Sequence, residues 1–84
     1  MKATAVKKIF NQLSEDCMVM NSRAREDGVK TPQYDVLTIS TSNREYQYAI
    51  GESSNWNVED DILWLEGDEG TRWIDCDKIE SITI

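Results

Sequence analysis

An α+β fold, with an N-terminal α-helix packed on a small, strongly bent antiparallel sheet or barrel of about five strands, is what this sequence predicts. Three observations carry the prediction. Val6, Ile9, Phe10 and Leu13 fall at i, i+3, i+4 and i+7, one apolar stripe along a helix. Residues 34–50 alternate apolar and polar positions around a tight Ser42-Asn43 turn, the pattern of a β-hairpin. The stretch from Asp61 to Ile84 shows two apolar runs joined by Gly67-Asp68-Glu69-Gly70, then a break in alternation, then a final alternating tetrapeptide. With 84 residues the chain makes one small domain, residues 1–84, with a helix over about 3–14 and a β-rich part over 17–84.

In the helix, Lys2, Lys7, Lys8, Asn11 and Gln12 lie off the apolar stripe and face water. Its end has two readings. Cys17 and Met20 continue the stripe, and Gly28 would then serve as a distant C-cap. Against this, Ser14-Glu15-Asp16 reads as a turn, and Cys17 and Val19 against Met18 and Met20 read as a short strand. The strand is the reading adopted. Glu26 to Pro32 is a loop, marked by Asp27-Gly28 and the only proline. In the strand that follows, Tyr34, Val36 and Thr38 face one way and Asp35, Leu37 and Ile39 the other, so both faces carry apolar groups and the strand is expected to be central. Tyr46, Tyr48 and Ile50 then define the buried side of its hairpin partner.

Residues 51–60 (GESSNWNVED) hold one aromatic among small, polar and acidic residues, and read as the longest loop in the sheet. Trp56 in it either folds back over the open end of the core or stands out as an anchor for a partner. Ile62-Leu63-Trp64-Leu65 is a continuous apolar run expected to be buried on both faces, reversed at Gly67–Gly70. In the return strand, Arg72, Ile74 and Cys76 point to one side, and Trp73 and Asp75 to the other. The break near Asp77-Lys78 fits a turn of 3₁₀ helix, and Ile82 and Ile84 alternate with Ser81 and Thr83 as a last strand.

The order in DILWLEGDEGTRWIDCDKIESITI is strand, turn, strand, short helical turn and strand. It resembles the SH3-like small barrels, and most nearly the Sm-like proteins, over the final third of the chain. The resemblance implies a small barrel that binds RNA around a ring pore through loop motifs near the last strands. Asp75, Cys76, Asp77 and Lys78 occupy that neighbourhood here. Two carboxylates oppose RNA, so no binding residue is carried across.

Composition narrows the function classes. No apolar run reaches about 18 residues, and the N-terminus lacks the apolar stretch and small-residue site of a signal peptide, which makes the cytoplasm the default expectation. The sequence contains no histidine, removing the commonest zinc ligand and general base together. Cys17 and Cys76 are too few for a disulfide framework and are expected to pack as small apolar residues. Charge is uneven: residues 1–44 hold seven Lys/Arg against five Asp/Glu, and residues 45–84 hold two against eleven, within a net charge of −7. An acidic half repels phosphate backbones and attracts basic protein surfaces, although a solubilising face is the plainer explanation. The bases Lys2, Lys7, Lys8, Arg23, Arg25, Lys30 and Arg44 read as a solvated helix face and strand edge rather than a nucleic-acid track.

Enzymatic chemistry finds little purchase. Asp75-x-Asp77 matches at most a weak Mg²⁺ site. Cys17, Cys76, Ser53 or Ser54 would need a carboxylate or lysine as activating base. No Gly-rich phosphate loop appears, because acids separate Gly67 from Gly70. The leading expectation is therefore a non-enzymatic acidic interaction protein, without cofactor or metal, that binds a basic-surfaced protein such as a nucleic-acid-binding protein. Its candidate contacts are Trp56, Glu59, Asp60, Asp61, Glu66, Asp68 and Glu69. In composition it resembles the nucleic-acid mimics that phages and mobile elements use as inhibitors of host nucleases and defence complexes. Direct nucleic-acid binding and membrane association are disfavoured. The alternative is a Sm-like barrel in which the basic half of one copy meets the acidic half of the next, forming a homo-oligomeric ring that binds nucleic acid.

Overall fold

The computed structural model describes residues 1–84. Helix α1 (Ala3–Glu26) is followed by β1 (Tyr34–Thr41), β2 (Glu45–Gly51), β3 (Asn55–Glu59), β4 (Ile62–Gly67), β5 (Gly70–Asp75), a 3₁₀ turn (Cys76–Lys78) and β6 (Ile79–Thr83). The strands form two antiparallel three-stranded sheets, ordered β2-β1-β6 and β3-β4-β5. The α+β class holds, with six strands rather than five, and the two sheets are not closed into a barrel. No helix is long and apolar enough to cross a membrane.

The helix corrects the expected boundary near residue 14 and the strand expected at Cys17–Met20. Its buried positions are Val6, Phe10, Leu13, Cys17 and Asn21, which continue one stripe at spacings of three and four. Glu15 and Asp16 do not interrupt it because they fall on the outer side, where Gln12 Nε2 donates to Asp16 Oδ1 at 3.0 Å across one turn, and Ser14 turns toward the second sheet, its hydroxyl accepting from the Trp56 indole. The exposed Met18 and Val19 simply sit off the stripe. The helix ends where Gly28 takes φ +81°, a left-handed conformation that costs glycine little. The Gly28 N–H donates to the Arg25 carbonyl at 3.0 Å and the Val29 N–H to the Ala24 carbonyl at 2.8 Å, closing the last turn. Arg23 and Arg25 in that turn complement the negative end of the helix.

Asn21 fixes how the helix meets the sheet. Its Nδ2 donates to the carbonyls of Cys17 (2.9 Å) and Gln33 (3.0 Å), and its Oδ1 accepts from the Gln33 N–H (2.8 Å). A buried amide with both ends satisfied thus staples the helix to the segment that leads into β1.

As expected, β1 is the centre of its sheet. Its Leu37 and Ile39, with Tyr48 and Ile50 of β2, enter the core, while Tyr34 and Val36 remain exposed. The second sheet contributes Leu63, Leu65 and Ile74, the 3₁₀ turn Cys76, and β6 Ile79. Phe10 stands between the layers, its ring centroid 5.2 Å from Trp56 and 6.4 Å from Tyr48. The Tyr48 hydroxyl reaches across to the carbonyls of Asn55 (3.1 Å) and Glu66 (3.3 Å), tying the first sheet to the second.

Two further expectations are revised. Residues 51–60 are not a long loop: only Glu52–Ser54 connects β2 to β3, and Asn55–Glu59 is a strand. Within it Trp56 and Val58 turn inward and Asn55, Asn57 and Glu59 outward, an alternation hidden by its polar composition. The Ile62–Leu65 run is buried on one face only. Leu63 and Leu65 are in the core, whereas Ile62 and Trp64 are half-buried on the other side, where no element of the chain covers the sheet.

Candidate functional site

That uncovered outer face of the second sheet is built by strand alternation alone. Its middle row is Asn57, Trp64 and Trp73, directly opposite one another across β3, β4 and β5. One flanking row is Glu59, Ile62 and Asp75, and the other is Asn55, Glu66 and Thr71. Trp73 is 69% exposed, the most open of the three tryptophans in a chain where Ile84 is the only large apolar residue more exposed. No Lys or Arg lies on this face. A half-covered Trp64 beside an open Trp73, framed by carboxylates in both flanking rows, gives an aromatic ridge with an acidic border.

Two hairpin turns extend the border. Asp60 and Asp61 form the β3–β4 turn with φ of 49° and 63°, the double left-handed geometry of a two-residue hairpin. Asp68 and Glu69 form the β4–β5 turn, and Gly70 follows at φ +115°. The turns lie at opposite ends of β4, whose own length is about 17 Å at a rise of about 3.4 Å per residue. Glu59, Asp60, Asp61, Glu66, Asp68 and Glu69 are all exposed. Asp75 and Asp77 join the first of the two groups. Burial first, and then the nearby carboxylates of Asp61, Asp75 and Asp77, push the Cys76 thiol above its ordinary range. The Cys76 N–H also donates to the Asp61 carbonyl at 2.8 Å.

Little of this charge is neutralised. The ion pairs are Arg25–Glu52 at 2.8 Å on the first sheet's side, and Arg72–Glu69 at 3.7 Å. The predicted acidic residues therefore form two exposed clusters joined by the Trp64–Trp73 ridge. Trp56 is separated from them by the sheet itself. It is half-buried against Phe10, and its indole Nε1 donates to Ser14 Oγ at 2.9 Å, which is the core-covering geometry of its two readings. Sequence reasoning missed Trp64, Trp73 and Asp75 as a face. The signal was available: a two-residue turn between Gly67 and Gly70 sets Trp64 opposite Trp73, and alternation already separated Trp73 from Ile74.

The remaining polar chemistry is structural. The Cys17 thiol donates to the Ile50 carbonyl at 3.2 Å, and burial, assisted by Asp35, raises its pKa. Both cysteines are buried and free, so each packs as a small apolar group. Asp75 Oδ1 accepts from the Asp77 N–H at 3.0 Å, capping the 3₁₀ turn. Ser54 is engaged by the backbone at Ala49 and Gly51. Comparison of the chain with protein-family models, with curated proteins and with solved structures gave no match.

Proposed function

We propose that this protein is a non-enzymatic interaction module whose second sheet docks on a basic protein surface, with carboxylates taking the places of phosphates. The observation that carries the reading is Trp73, exposed beside Trp64 on a face that carries Glu59, Glu66 and Asp75 and no basic side chain. Exposed tryptophan is costly to leave in water and is the residue type most enriched at interface hot spots, where one such ring is worth about 2 kcal/mol or more. The two acidic clusters would steer encounter and set orientation, while the ridge would supply most of the affinity. A basic groove that normally holds nucleic acid is the complementary shape and charge. This supports an inhibitor of the nucleic-acid-mimic kind, such as the anti-defence proteins of phages and mobile elements.

Affinity purification from the native host, repeated with Trp73→Ala, tests the proposal. A genuine partner should be basic-surfaced, be lost with Trp73→Ala, dissociate as salt rises from 50 to 500 mM, and be displaced by duplex DNA. A complex indifferent to salt and DNA would overturn the mimicry. The ring-forming alternative predicts a sedimenting oligomer and an RNA shift at low salt, so a monomer without an RNA shift would end that reading.

A further inference from the structure

The free edge of β2 forms one wall of an open groove of about 660 Å³ between the two sheets. The opposite wall is the β4–β5 hairpin, from Leu65 through Gly70 and on to Arg72. The hydrogen-bonding parity of β2 follows from its hairpin. The Thr41 N–H donates to the Arg44 carbonyl at 2.9 Å, so the bonded pairs fall at Ile39–Tyr46, Leu37–Tyr48 and Asp35–Ile50. Glu45, Gln47, Ala49 and Gly51 must then direct their N–H and C=O groups away from β1. Ser54 shows this independently: its Oγ accepts from the Gly51 N–H at 2.8 Å and donates to the Ala49 carbonyl at 3.2 Å, and its own N–H donates to the Gly51 carbonyl at 3.3 Å. Ser54 thus closes the far half of the edge. The N–H and C=O groups of Glu45 and Gln47 are left facing the groove.

The other edges differ. On β3 the outward-directed Val58 N–H is taken by Asn57 Oδ1 at 2.9 Å. The β6 edge belongs to a strand whose pairing with β1 is broken by a register shift at Ser40/Thr41. The β5 edge is open but has no second wall. Only β2 combines unpaired backbone with a cleft.

We propose that this groove binds an extended, basic segment of a partner protein as an added strand on β2. Backbone pairing at Glu45 and Gln47 would hold about three to five residues, since successive strand residues advance about 3.4 Å. Side-chain chemistry selects a cationic segment. Glu45 stands on the strand itself, and Glu66, Asp68 and Glu69 form the far rim. Of the two arginines of the groove, Arg44 lies 4.5 Å and Arg72 5.5 Å from the centroid of the Tyr46 ring, and Arg72 also pairs with Glu69 at 3.7 Å, so Glu45, Glu66 and Asp68 are the groove acids without an ion-pair partner. A Lys or Arg opposite Glu45 forms a favourable cross-strand pair, whereas an acid there is repelled. The groove shares Glu66, Asp68 and Glu69 with the acidic border of the other face, but neither Trp64 nor Trp73 lines it.

The test uses the full chain and three synthetic decapeptides: alternating Lys-Val, alternating Glu-Val, and the Lys-Val peptide N-methylated on the residues that would pair. Amide exchange is followed by NMR. The Lys-Val peptide should slow exchange at Glu45 and Gln47, and N-methylation should weaken binding at least tenfold. Gln47→Pro should abolish binding while leaving the circular dichroism spectrum unchanged, because that N–H points away from β1 and an edge position tolerates proline. Should Gln47→Pro unfold the chain, Glu45→Lys serves instead, with at least a threefold loss expected. Protection at Thr71, Trp73 and Asp75 instead, equal binding of the Glu-Val peptide, indifference to N-methylation, or no binding of any peptide at millimolar concentration would each overturn the proposal.

Discussion

Truncating Trp56 and truncating Trp73 should have opposite consequences. Trp56→Ala removes a ring packed 5.2 Å from Phe10 and an indole hydrogen bond of 2.9 Å to Ser14. The aromatic contact is worth about 0.5–1.5 kcal/mol and the hydrogen bond about 0.5–1.5 kcal/mol. With the apolar surface re-exposed, the loss comes to about 2–4 kcal/mol, toward the lower end of core Trp truncations because the ring is only half-buried. An 84-residue domain has about 4–12 kcal/mol in all. The midpoint of thermal unfolding should therefore fall by roughly 10–25 °C. Trp73→Ala removes a ring that is 69% exposed, and should cost no more than a cross-strand pair, about 0.2–1 kcal/mol. Urea unfolding followed by circular dichroism at constant m-value measures both. Equal losses, or a larger loss for Trp73→Ala, would refute the division between a core tryptophan and a surface tryptophan on which the proposed face rests.

Other outcomes follow from the same structure. Asn21→Ala strands the Gln33 N–H and carbonyl and should cost about 2–3 kcal/mol, read by thermal unfolding; Asn21→Asp should be no better, since a carboxylate cannot donate to the Cys17 and Gln33 carbonyls. Replacing Asp60-Asp61 by Asn-Gly relaxes two left-handed residues and should stabilise by about 1 kcal/mol, while weakening any basic partner. Burial holds the Cys17 and Cys76 thiols above their ordinary value of 9.0 and the Tyr48 phenol above 10.0. The unfolded chain therefore gives up these protons first, so stability is full below pH 9 and declines as pH rises through the folded values. Urea midpoints measured from pH 7 to 11 should fall only on the alkaline side, and a flat profile would contradict the burial of these groups.

The helix stripe, the two flanking hairpins, the 3₁₀ turn and the last strand were legible because each depends on local periodicity or turn chemistry. The helix end was not. Ser14-Glu15-Asp16 carries a turn-like composition, yet tertiary packing of Cys17 and Asn21 decides the matter, and Asn21 declares itself only when Gln33 is beside it. Asn55–Glu59 was hidden for a related reason. A half-exposed strand needs only Trp56 and Val58 on its inner side, and the polar residues between them look like a loop. The acidic clusters were legible as charge, but their arrangement around Trp64 and Trp73 depends on which face of the sheet the helix covers, a fact no short stretch contains.

The charge has a consequence even in the absence of a partner. Two three-stranded sheets that do not close leave strand edges open, and the β5 edge carries Trp73. Unpaired edges next to aromatic surface invite copies of a chain to stack into one another. At the β3 and β5 edges such an approach brings Glu59, Glu66 or Asp75 of one copy toward the same residues of another, so mutual repulsion guards these two edges. That protection is set by solvent rather than by packing. Near the sequence pI of about 4.4 the net charge that keeps copies apart falls to zero, and the exposed Trp73 edge becomes a contact for a second copy.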